Sequence, residues 1–157
     1  MTRKKIIIHT DGACIGNPGA GGWAAVLQCG EHRREMSGFA ESTTNNRMEI
    51  CAAIHALRSL WFPSDVVLYS DSLYLLDGAT SWIPIWERGG WMTKKKKPVK
   101  NADLWRELKA EADRHCIRWL WVKGHSGNVE NERADKLATT AANSAKIKPV
   151  EKDLFAV

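Results

Sequence analysis

The 157-residue chain has no apolar run approaching the roughly 18 residues that a membrane span requires. Its basic opening, Met1-Thr2-Arg3-Lys4-Lys5, is followed by only three isoleucines before His9 and Asp11, which argues against a signal peptide. The four cysteines, Cys14, Cys29, Cys51 and Cys116, form no CxxC pair and have no histidine at zinc-finger spacing. Free thiols in a reducing cytoplasm are therefore expected. No internal repeat is visible. Hydrophobic residues at 44% and charged residues at 26% argue against disorder and for an ordinary globular protein. A chain of this length forms about one domain and buries on the order of 70% of the surface its unfolded form would expose. Acids are outnumbered, 18 against 23 Lys and Arg, for a net charge of +5. Much of the excess sits in Lys94-Lys95-Lys96-Lys97 and Lys100, so a polyanionic partner is expected.

What the chain does have is organised around Ile6-Ile7-Ile8-His9-Thr10-Asp11-Gly12. A β-branched apolar run without polar alternation reads as a strand covered on both faces, here delivering one acid to an edge. Gly12 then lets the backbone turn or approach a neighbour closely. Asp65-Val66-Val67-Leu68-Tyr69-Ser70-Asp71 repeats the design. If the two strands lie parallel, Asp11 and Asp71 meet at one end of the sheet, where open α/β folds place their sites.

Gly19, Gly21 and Ala24 fit a loose G-x-G-x-x-A dinucleotide pattern. That reading fails, because Trp23 to Cys29 continues as a strand and supplies no helix N-terminus for a pyrophosphate. His32 to Ala40 reads as a third strand, turning at Gly30-Glu31 to form an antiparallel meander. Ser42-Thr43-Thr44-Asn45-Asn46 is a cluster of capping side chains before a helix from Arg47 to Leu60, with Ile50, Ile54, Leu57 and Trp61 at helical spacing. Ser72 to Ala79 suggests a short helix, and Asn101 a cap for another lasting to Arg114. Ile117 to Val122 is a short strand, Lys123 to Asn128 a loop with glycines around His125, and Val129 to Asn143 a last helix. Residues 144–157 read as a loosely ordered tail.

Asp11, Glu49, Asp71 and Asp135 all belong to strand ends or helices leading from one sheet edge. Brought together, carboxylates repel by about 4 kcal/mol per pair at 4 Å with an effective dielectric near 20, so they need cations or altered protonation. Hard oxygen ligands suit Mg²⁺ or Mn²⁺. Two such ions about 3.5 to 4 Å apart would serve an in-line displacement on a phosphodiester, the chemistry of a nuclease using water as nucleophile.

Thr10-Asp11-Gly12 with Gly16-Asn17-Pro18-Gly19, then Thr43-Thr44-Asn45-Asn46-Arg47-Met48-Glu49 and Ser70-Asp71-Ser72, occur in that order. They are followed by Trp121-Val122-Lys123-Gly124-His125 and Asn131-Glu132-Arg133-Ala134-Asp135. Together these motifs closely resemble ribonuclease H of the bacterial type 1 class, over residues 4–143. The resemblance implies a single-domain α/β fold over 1–143, a five-stranded mixed sheet with helices on both faces, and a basic protrusion at 82–101. It implies endonucleolytic cutting of the RNA strand of RNA/DNA hybrids by two Mg²⁺ ions, with Mn²⁺ as a substitute, leaving 5′-phosphate and 3′-hydroxyl ends. Asp11, Glu49, Asp71 and Asp135 match the metal-binding carboxylates, and His125 a mobile histidine assisting proton transfer or product release. His9, two residues before Asp11, is read as packing or support.

By the same resemblance, Asn17, Asn45, Asn46 and the backbone at Cys14 and Gly16 face the hybrid's minor groove, where 2′-hydroxyls distinguish RNA from DNA. Trp82, Trp86, Lys95, Lys96, Lys97, Lys100 and Asn101 belong to the segment that grips the DNA strand, with Trp82, Trp86 and Trp105 also packing into the core. Glu87, Gly89 and Gly90 stand where the family often has basic residues, which shifts the grip toward Lys94 to Lys97. A cytoplasmic monomer without an obligate protein partner is implied. The alternatives are a catalytically silent hybrid-binding module, or a transposase-like or exonuclease-like enzyme acting on DNA.

Overall fold

The computed structural model of the chain describes residues 3–155, with side chains through residue 145. Five strands, β1 (Lys5–Cys14), β2 (Gly19–Cys29), β3 (His32–Thr43), β4 (Asp65–Ser70) and β5 (Cys116–Trp121), form one sheet in the order β3-β2-β1-β4-β5. The β3, β2 and β1 neighbours pair antiparallel, as the meander reading expects, while β1, β4 and β5 run parallel. The apolar run of β1 is central for the reason anticipated. Ile6 and Ile8 stand in register with Val66 and Leu68 of β4, Ile8 also faces Leu27 of β2, and all are buried in one core.

Helix α1 (Asn45–Arg58) covers that face, and Ile50, Ile54 and Leu57 complete the core with Leu104, Trp105 and Leu108 of α4 (Ala102–Ala112). Fully burying each such aliphatic side chain contributes about 1.5–3 kcal/mol. Thr44 caps α1, its hydroxyl accepting the Arg47 N–H at 3.2 Å. The opposite face carries α5 (Val129–Phe155), which passes so close over β2 that a Cβ on Gly22 would lie 2.3 Å from the Ala138 carbonyl oxygen. The expected α/β architecture, with a mixed sheet and helices on both faces, is what forms.

Several boundaries differ from expectation. Trp61 does not extend the apolar face of α1, because the helix is capped at Ser59; Leu60 turns inward and Trp61 is 86% exposed. The helix expected over Ser72 to Ala79 is α2 (Leu73–Asp77), followed by a π-helical turn (Gly78–Trp82) and α3 (Ile83–Arg88). Gly78 there lies against Trp105, whose ring would be 2.1 Å from an added Cβ. Asn101 precedes α4 in the left-handed region at φ 61° and makes no side-chain cap; its side chain is committed to other partners. The backbone of α5 continues past Asn143 to Phe155. Of the expected tail over 144–157, residues 156 and 157, and all side chains from 146 onward, lie outside the described residues.

Candidate active site

The two ladders of β1 end at different places. Its parallel pairing with β4 stops at His9 opposite Tyr69, whereas its antiparallel pairing with β2 runs on to Cys14 opposite Gly21. Asp11 is therefore not a strand end, as its sequence suggests. It lies mid-strand, opposite Ala24, beyond the point where β4 has left the sheet. Asp71 directly follows the last residue of β4 and opens from the same gap. Glu49 enters from the second turn of α1 because Gly12 has no side chain: a Cβ there would lie 2.5 Å from the Glu49 backbone nitrogen. One carboxylate oxygen from each of Asp11, Glu49 and Asp71 lies within 4.8 Å of the others. Asp135, on α5, is outside that tight group but close enough for its charge to act on both aspartates.

Burial, then the charge of Asp71, pushes Asp11 up to about 8, with Asp135 adding to the shift. The Gly12 N–H opposes it by donating to Asp11 Oδ1 at 2.9 Å. Glu49 is raised well above the carboxylate range by burial, then by Asp11 and Asp71. Asp71, less enclosed, is raised by burial and by Asp135, and is eased downward by its hydrogen bond with Asp11 and by the charge of His125. Glu49 Oε1 is buried with no hydrogen-bond partner. An all-oxygen donor set with raised proton affinities and an unsatisfied buried lone pair fits a hard divalent cation.

His125, exposed in the loop after β5, takes a left-handed backbone at φ 56°. The adjacent Gly124 rests against Asp71, since a Cβ there would lie 2.9 Å from Asp71 Oδ2. This glycine is used for close approach to the acid. His9 stacks on Tyr69 at 4.8 Å between ring centroids, beneath the cluster, in agreement with its reading as packing.

The other predicted residues gather on two sides. Asn17 Oδ1 accepts the Asn45 N–H at 2.9 Å, and Cys14 Sγ reaches the Thr43 carbonyl at 3.4 Å, so the end of β1 and the loop after it, with Gly16 at φ 82°, are tied to the start of α1, where Asn45 and Asn46 stand. Trp82 and Trp86 are half-buried, 5.6 Å apart between ring centroids, with Trp86 5.7 Å from Trp105. Lys95, Lys96, Lys97 and Lys100 are exposed beyond them. Asn101 joins the two sides: its Nδ2 donates to the Tyr74 hydroxyl at 3.0 Å and its Oδ1 accepts from Arg47 Nη1 at 3.1 Å. Arg47 also grips Asp103 at 3.1 and 2.8 Å. Sequence reasoning missed this role of Arg47; the residue was visible inside its motif, but its partners were not.

A mixed sheet whose acids converge where parallel pairing stops defines an α/β protein with a site suited to a hard divalent cation. The RNase H family model matches residues 3–143. A ribonuclease H of Rhodopseudomonas palustris (strain TIE-1) is 55% identical over 146 residues, covering 93% of this chain and 94% of that protein. LC9-RNase H1, a type 1 RNase H with the type 2 active-site motif, is similar in structure with a TM-score of 0.84 at 31% identity, over 92% of this chain and 75% of that one. LC11-RNase H1, solved in complex with an RNA/DNA hybrid, gives 0.66 at 25% identity over 89% and 98%. The chain belongs to the RNase H family, and it is an endoribonuclease.

Proposed function

We propose that this chain cuts the RNA strand of RNA/DNA hybrids internally, leaving 5′-phosphate and 3′-hydroxyl ends, with Asp11, Glu49, Asp71 and Asp135 as the cation ligands. The observation that carries the reading is the convergence of three carboxylates within 4.8 Å around a buried, unpartnered Glu49 oxygen. Two Mg²⁺ ions, or Mn²⁺, held there would supply charge stabilisation for the attacking and leaving oxygens of an in-line displacement.

The chain's own residues do the rest. Asp11 must release its proton before a cation displaces it, so loading is favoured by rising pH. The Gly12 N–H fixes the Asp11 carboxylate, and Gly124 seats the loop of His125 beside Asp71, where the imidazole is placed to assist proton transfer or product release. Asn17, Asn45 and Asn46, with the backbone at Cys14 and Gly16, offer donors and acceptors suited to 2′-hydroxyls. Trp82, Trp86, Lys95, Lys96, Lys97, Lys100 and Asn101 form a basic, aromatic-backed surface suited to the DNA strand. The complex of LC11-RNase H1 with a hybrid supports this substrate. A site assembled from one chain supports action as a monomer, and four free cysteines accord with a cytoplasmic protein.

The test is incubation of an end-labelled RNA/DNA hybrid, beside matched RNA/RNA and DNA/DNA duplexes, with and without Mg²⁺ and with Asp11→Asn as control. Cutting of the hybrid's RNA alone, dependent on metal and on Asp11, is expected. Binding without cutting would replace the proposal with a silent hybrid-binding module, and DNA cutting would overturn the substrate.

A further inference from the structure

The edge strand β3 and the first turns of α5 are joined by a line of alternating charges. Arg33 donates to Glu130 through Nε at 2.8 Å and Nη2 at 3.1 Å, and its Nη1 lies 2.9 Å from Glu35. Arg133 donates to the same Glu35 through Nε at 2.7 Å and Nη2 at 3.0 Å. Glu35 is held down to about 2, first by Arg133 and then by Arg33. Glu130 and Arg133 belong to α5, Arg33 and Glu35 to β3, so two forked contacts cross between the elements.

Partly exposed ion pairs contribute little to stability, but a guanidinium fork on a carboxylate fixes orientation. What these forks orient is the end of α5 that carries Asp135, two residues after Arg133. That end has a reason to move away. It carries Asp135, whose charge already raises Asp11 and Asp71. The inner side of α5 is seated by buried Asn131, Ala134 and Ala138. The outer side of its first turns is held to the sheet through Arg133 and Glu130.

We propose that Arg133 and Glu35 are positioning residues for the cation site, clamping the α5 terminus to β3 so that Asp135 stays within reach of Asp11 and Asp71. This rests on the reading above that Asp135 is one of the ligands. Charge alone makes the opposite prediction: removing the Arg133 cation from beside an acidic cluster should strengthen Mg²⁺ binding. Loss of the clamp should weaken it instead, by about tenfold, the lower range for losing a supporting partner of a metal ligand.

The readout is the Mg²⁺ binding midpoint, taken by isothermal titration calorimetry without substrate on the full chain, together with hybrid KM at saturating Mg²⁺. Arg133→Gln should raise the midpoint about tenfold while leaving KM unchanged, and Arg133→Lys, which keeps the charge but loses the fork, should recover only part. Glu35→Gln should act in the same direction, and the double variant should be no worse than the worse single one. A midpoint unchanged or lowered in Arg133→Gln, or additive effects in the double variant, would overturn the clamp. If the wild-type chain neither binds Mg²⁺ nor cuts a hybrid, the parent reading fails and takes this one with it.

Discussion

Replacing Asp11 by Asn keeps the volume of the side chain and an oxygen for the Gly12 N–H, and removes one charge from the cluster. Asp11 has an ordinary value of 3.8 and is pushed up to about 8 in the fold, so between those pH values the folded state binds more protons than the unfolded state. The stability of the metal-free wild type must then fall as pH rises from 3.8 to about 8. Each tenfold in proton affinity is about 1.4 kcal/mol, which makes the Asp11 share of the fall on the order of 6 kcal/mol. An amide at this buried position retains part of the burial cost, so the variant should gain on the order of 3 kcal/mol at pH 9 without metal, or roughly 6–12 °C in Tm. At pH 4 the two proteins should be nearly equal. Urea unfolding in EDTA across this range is the assay, repeated in Mg²⁺, where the wild type should recover by ligand linkage and the variant should not. If Asp11→Asn is less stable at pH 9, or keeps the wild-type slope, Asp11 is a structural acid and the electrostatic argument is wrong.

Gly12→Ala should cost at least about 100-fold in single-turnover cleavage while circular dichroism stays native, because the new methyl meets α1 at the Glu49 nitrogen and displaces that carboxylate; near wild-type cleavage would show that α1 yields freely. Replacing Lys95, Lys96 and Lys97 with Ala should raise the KM for hybrid and lower the slope of log KM against log salt by roughly 2, and an unchanged slope would remove the lysines from the binding surface. Gly78→Ala should destabilise the fold by about 1–3 kcal/mol in urea titration, through overpacking against the Trp105 ring, and a neutral result would mean that the π-helical turn adjusts without strain.

The acids were legible because two apolar runs each close on an aspartate and because Glu49 follows a dense capping cluster. Their exact relation to the strands was not. A strand's own residues do not say where its neighbour stops, so Asp11 read as a terminus although β1 continues to Cys14. Helical spacing likewise carried Trp61 into the core on paper, whereas the chain leaves the helix at Ser59. Asn101 has the chemistry of a cap, but Arg47 and Tyr74 occupy its side chain, and the Arg47 to Asp103 contact spans 56 positions. The Arg33 to Glu130 contact spans 97. Such pairs depend on where finished elements cross, which local propensity and periodicity do not encode. The glycines fall between these cases: the sequence around Gly12 allows a turn or a close approach, and the packed helix decides for the approach.

The unequal ladders of β1 also give one strand two mechanical regimes. Up to His9 it is flanked on both sides and behaves as the spine of the sheet; from Asp11 to Cys14 it is a cantilever within the sheet, paired with β2 alone and backed by α1 at Gly12. Across the open side stand Asp71, which continues β4, and the Gly124 backbone resting on it. A cation shared by Asp11 and Asp71 would therefore act as a rivet between the antiparallel and parallel halves of the sheet at the place where hydrogen bonding has let them part.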